Sequence, residues 1–147
     1  MRCLNLCFIT IGLLLLVLLF SCNAGLRNKK SVEQAMRHYD HLILKLDADS
    51  IALLFTPNGH LGTMATGRDS IRKFLSSFKN IRVLEQSSQV DSSVVNKKLA
   101  ILMGRYHQTD LIAEKDTVKI KGSFVARWLW NKNEGWRILQ IDTKSEN

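Results

Sequence analysis

Thr117-Val118-Lys119-Ile120-Lys121-Gly122-Ser123-Phe124-Val125-Ala126-Arg127-Trp128-Leu129-Trp130 is the stretch on which the fold turns. Val118, Ile120, Gly122, Phe124, Ala126, Trp128 and Trp130 fall on one side of a strand, and Lys119, Lys121, Ser123, Val125, Arg127 and Leu129 on the other. Such period-two patterning marks a sheet with one face covered and one face open. The first set is expected to face a concave side covered by helices. Asn131-Lys132-Asn133-Glu134-Gly135 is a hairpin turn, and Trp136 to Asp142 returns as the next strand. Upstream, Val83 to Val90 and Val94 to Tyr106 are rich in β-branched and aromatic residues and read as two further strands.

Before Ile81 the period changes. Val32, Ala35, Met36, Tyr39, Leu42, Ile43 and Leu46 recur at helical spacing, with Ser31 as the expected cap and His38, Asp40 and His41 on the solvated side. A second short helical segment, Ser50 to Phe55, ends at Pro57-Asn58-Gly59, which reads as a turn, and His60 to Met64 follows as a strand. Gly67 precedes an amphipathic helix carrying Ile71, Phe74, Leu75 and Phe78. Helices first and an antiparallel sheet second make an α+β order.

Arg2, the apolar run Phe8 to Phe20 and Leu19-Phe20-Ser21-Cys22 open the chain. The run is shorter than the ~20 residues of a membrane-spanning helix and suits a secretory signal. Its ending resembles the lipobox of bacterial lipoproteins, in which the Cys becomes lipidated and N-terminal. The resemblance implies a signal peptide at 1–21, lipidated Cys22 with a tether over 22–30, a domain over 31–143 and a tail over 144–147. It also implies a domain held to the inner or outer membrane of the cell envelope, periplasmic or surface-exposed. Cys3, Cys7 and Cys22 are the only cysteines, so cleavage leaves one thiol and no intramolecular disulfide. Arg27, Lys29 and Lys30 suit anionic lipid headgroups beside such an anchor. The formal net charge of +8 loses one unit with Arg2. Because the basic residues are spread along the chain without a nucleic-acid motif, no nucleic-acid partner is expected.

The domain resembles the nuclear transport factor 2-like superfamily, shared by ketosteroid isomerases, scytalone dehydratase and SnoaL-like cyclases. Three segments carry the resemblance: Tyr39 through Asp49 to Leu53-Leu54-Phe55; Thr66-Gly67-Arg68-Asp69-Ser70-Ile71-Arg72-Lys73-Phe74; and Trp128-Leu129-Trp130 followed by Gly135-Trp136-Arg137-Ile138. A cone-shaped fold of helices packed on a curved antiparallel sheet is implied. Matched to the ketosteroid isomerase pattern, Tyr39 stands at the oxyanion tyrosine, but the general base is replaced by Thr63 and the second oxyanion acid by Ala126. A hydroxyl cannot serve as the carboxylate base near neutral pH, so steroid-type isomerisation is not expected.

The candidate pocket comprises Tyr39, Phe55, His60, Thr63, Met64, Phe74, Met103, Phe124, Ala126 and Trp128. Tyr39 and His60 are the candidate catalytic pair, weighed against a core tyrosine and a solvated strand-edge histidine. No metal or cofactor is expected, since His38 and His41 lack completing ligands at recognised spacing. Two functions remain open: a lipid-anchored, non-catalytic domain binding a small apolar ligand or a protein, and a SnoaL-like isomerase, cyclase or hydrolyase acting on a carbonyl compound. Val125 and Leu129 interrupt the polar side of the strand, and a homodimer through the sheet is expected.

Overall fold

A computed structural model describes residues 27–146. Among these residues three helices, α1 (Lys29–Lys45), α2 (Ala48–Leu54) and α3 (Arg68–Leu75), precede most of the sheet. The strands are β1 (Phe55–Leu61), β2 (Ala65–Thr66), β3 (Ile81–Asn96), β4 (Leu99–Ile112), β5 (Asp116–Asn131) and β6 (Gly135–Ser145). They form one curved, unclosed sheet in the order β2-β1-β6-β5-β4-β3, antiparallel except where β1 runs parallel to β6. The α+β architecture read from the sequence is the one observed.

The alternation on β5 sorts as its side chains require. Phe124, Ala126 and Trp128 are buried beneath the helices, while Ser123 and Arg127 are exposed. β6 keeps the same inner face across an irregularity. Arg127 pairs with Gln140 and Trp128 with Ile138, so Leu139 is an extra residue that lets both Ile138 and Ile141 point inward.

Several boundaries differ from the sequence reading. Asn28 caps α1: its side-chain oxygen accepts from the Ser31 amide at 2.9 Å, while Ser31 Oγ accepts from the Asn28 amide at 3.2 Å. Ser31 is therefore the third helical residue, and Lys29 and Lys30 belong to the helix instead of a tether. Pro57-Asn58-Gly59 lies inside β1. Between Phe55, opposite Ile138, and His60, opposite Gln140, this segment forms a wide bulge in which proline's missing N–H interrupts no regular ladder. β1 ends at Leu61, and Gly62 to Met64 make the turn into β2. Asp91-Ser92-Ser93 is not a strand break either. It carries a bulge in β3, and the chain reverses at Lys97, whose positive φ of 53° serves the turn. β4 runs on past Tyr106 to Ile112, and β6 extends to Ser145, beyond the expected domain edge at 143.

Asp40, expected in solvent, is buried. It accepts from Gln86 Nε2 at 2.9 Å, from the Ser88 amide at 3.0 Å and from Ser88 Oγ at 2.7 Å, tying α1 to β3. His38 and His41 are exposed.

Candidate functional site

Between the helices and the inner face of the sheet lies a cavity of about 390 Å³, within the range of small-molecule sites. α1 supplies Met36, Tyr39 and Ile43 at the spacing that keeps one helical face turned to the sheet. Phe74 and Leu75 of α3 and the following Phe78 close another side, with the Phe74 and Phe78 rings edge-to-face at 5.0 Å. Phe124 and Ile120 from β5 and Ile141 from β6 form the floor. Polar groups converge from β3 and β4, where Gln86, Ser88, Tyr106, Gln108 and Asp110 also line the space.

Most of these polar groups are already engaged. Gln86 and Ser88 donate to Asp40, Tyr106 Oη meets Ser145 Oγ at 3.3 Å, and Gln108 Nε2 donates to both oxygens of Asp110 at 2.8 and 2.9 Å. Tyr39 is different. Its hydroxyl has no hydrogen-bond partner among the described residues, and burial, followed by the adjacent Asp40 charge, raises its pKa well above the ordinary phenol range. The group is held as a protonated donor in the cavity wall.

Four of the expected pocket residues, Tyr39, Met64, Phe74 and Phe124, line the cavity. Phe55, Ala126 and Trp128 do not: they are completely buried in the core, where their inward direction leads to helix packing and not to open space. Met103 lies on the opposite face, 41 % exposed and paired with Val125. Its neighbours Leu102 and Gly104 take the inward positions. Thr63 is exposed in the β1–β2 turn. His60 is exposed as well, its Nδ1 3.0 Å from Thr66 Oγ1 on the paired strand, so the cavity wall holds Tyr39 without His60. The two candidate catalytic groups are not brought together.

Asp110 escaped the sequence reading. It is only 6 % exposed and stands on the cavity wall. A signal was present: Leu102, Gly104, Tyr106, Gln108 and Asp110 share one parity, and β4 continued beyond Tyr106 carries Asp110 inward with them. The polar run Tyr106 to Asp110 masked that continuation, because strand-forming composition falls there. Cys22 and the whole expected signal lie outside the described residues.

No family model and no curated protein matches the chain. Solved structures do. A ketosteroid isomerase-like protein from Erwinia carotovora atroseptica matches with a TM-score of 0.68 at 14% identity, over 78% of this chain and 93% of that one. A nuclear transport factor 2-like superfamily protein from Salmonella enterica serovar Typhimurium gives 0.67 at 16% identity, over 81% and 91%. A Mycobacterium tuberculosis protein of unknown function gives 0.69 at 16% identity, over 79% and 74%. The chain thus has the nuclear transport factor 2-like α+β fold, a scaffold that does not by itself dictate an activity.

Proposed function

We propose that the protein is a lipid-anchored domain of the bacterial cell envelope that binds a small, largely apolar molecule in its cone cavity without transforming it. The cavity between α1, α3 and the sheet carries this reading: its wall is mainly aliphatic and aromatic, with only a few polar groups free to orient a ligand. The positions matched to the isomerase acids hold Thr63 in an exposed turn and Ala126 in the packed core. Tyr39 on the cavity wall without His60 favours binding over an enzyme that uses the two as proton donor and acceptor.

Anchoring rests on Leu19-Phe20-Ser21-Cys22, whose thiol would accept the diacylglycerol. Two or more acyl chains give the stable attachment that a single chain does not. A second copy of the chain would pair on the outer sheet face. Val94, Leu99, Ile101 and Met103 are exposed there, with Met103 opposite Val125 and Leu99 opposite Leu129.

Native mass spectrometry of the full-length chain, followed by organic extraction, tests the binding reading. A stoichiometric apolar adduct is the expected result, and an empty protein that also fails to take up neutral apolar probes overturns it. Incorporation of an alkyne fatty acid tests the anchor. Labelling should disappear in Cys22→Ala, whereas undiminished labelling removes the lipoprotein assignment.

A further inference from the structure

Among the described residues, the cavity wall contains an acid and no base. Asp110 is buried, and its hydrogen-bond partner among the described residues is the neutral amide of Gln108. Among the described residues no Lys, Arg or His lines the cavity, although the chain as a whole carries a formal net charge of +8. The described basic residues lie elsewhere, many paired on the surface, as Arg72 is with Asp49 and Asp69, and Arg105 with Asp91. A carboxylate in an apolar enclosure is ordinarily matched by a cation, because solvation by one neutral donor does not replace water.

The unfilled valences of Asp110 itself are for donors. One Gln108 nitrogen spans both carboxylate oxygens, which leaves most of their lone pairs unused. Gln86, paired with Gln108 across the ladder, has its Oε1 buried without a donor. Five aromatic side chains, Tyr39, Phe74, Phe78, Tyr106 and Phe124, stand in the same wall. Aromatic faces receive both apolar groups and cations favourably.

We infer that the cavity takes a small amphipathic amine, its ammonium group held by Asp110 and its apolar body laid against the aromatic wall. This rests on the reading of the cavity as a small-molecule site and adds the chemical class of its ligand. An ammonium supplies up to three donors and the missing positive charge together. A volume of about 390 Å³ accommodates one ring with a short alkyl chain. Selection of a cation runs against the global field of a basic protein, so it has to originate locally, at Asp110.

Calorimetric titration of the full-length chain with phenylbutylamine, phenylbutanol and phenylbutyrate tests the inference, since the three share one apolar skeleton. The amine is expected to bind about tenfold or more tighter than the alcohol, the scale of a charge-assisted hydrogen bond, and the carboxylate more weakly than either. In Asp110→Asn, which keeps the side-chain volume, the amine should fall to within about threefold of the alcohol, with the alcohol unchanged. Equal binding of amine and alcohol by the unaltered chain overturns the inference while leaving the cavity reading intact. A preference that survives in a folded Asp110→Asn also overturns it. Failure of all three compounds to bind removes both readings. The comparison on the unaltered chain decides the matter even where the variant does not fold.

Discussion

Tyr39 and Asp40 are neighbours on α1 that meet opposite surroundings, and each yields a measurable consequence. The Tyr39 phenol is buried on the cavity wall with its pKa raised, first by burial and then by Asp40. The unfolded chain releases this proton near the ordinary phenol value of about 10, before the folded chain does. The folded state therefore holds an advantage from Tyr39 that is complete below about pH 10 and is lost as the pH rises further. Thermal midpoints across the alkaline range should fall more steeply for the unaltered protein than for Tyr39→Phe, which has no proton to lose. Parallel profiles would show that the phenol does not titrate differently on folding. Asp40 instead collects three donors from β3. Asp40→Ala leaves the Ser88 amide and Gln86 Nε2 without their acceptor and should cost about 2 kcal/mol in denaturant unfolding. A loss below half of that would mean that water replaces the carboxylate.

At the scale of elements, the long strands depend on positions where no side chain fits. A Cβ on Gly104 of β4 would approach the Gln89 carbonyl oxygen to 2.0 Å, and one on Gly122 of β5 would approach that of Lys144 to 2.1 Å. Both contacts are with backbone of the adjoining strand, which cannot rotate away as a side chain can. Gly104 and Gly122 share the inward parity of their strands, so they permit the sheet to curl toward the helices beside the cavity. Gly104→Ala should destabilise the fold by roughly 1–3 kcal/mol, the ordinary cost of forcing extra volume into a packed place. Urea unfolding measures it. A neutral effect would show that β3 can shift without loss of packing. α1 is fastened more locally: Ser31 Oγ serves the cap with Asn28 and accepts from Trp136 Nε1 at 2.9 Å, joining the helix start to β6.

For the whole molecule the sheet has two apolar sides with different duties. The inner side is packed against the helices, and the cavity opens between them and the sheet. The outer side shows Val94, Leu99, Ile101 and Met103 to solvent beside the half-buried Val125 and Leu129. Contiguous apolar residues on an exposed sheet are a common self-association surface. The proposed homodimer should be dispersed to monomers by Leu129→Lys, read as sedimentation at high micromolar concentration. A monomer from the unaltered chain under the same conditions would dismiss the pairing.

Periodicity alone determined the parts whose side chains make a repeating choice between water and core. The helical spacing from Val32 to Leu46 is present as read, and so is the alternation of β5 from Gly122 to Trp128, whereas Val118 near the start of the strand is exposed instead of covered; where the pattern holds, each burial decision is made locally and repeated. The resemblance carried by the three quoted segments likewise indicated the α+β cone. Tertiary structure decided the rest. Bulges in β3 and β6 change which residues face inward without leaving a periodic trace, and Pro57-Asn58-Gly59 serves β1 because β6 lies alongside it. Trp128 and Phe124 share a face in sequence, yet one is sealed beneath the helices and the other borders open space. Asp40 is buried because β3 brings it donors, and Asp110 enters the cavity because β4 continues through a polar segment. Burial at these positions is conferred by partners distant in the chain, and local pattern carries no record of them.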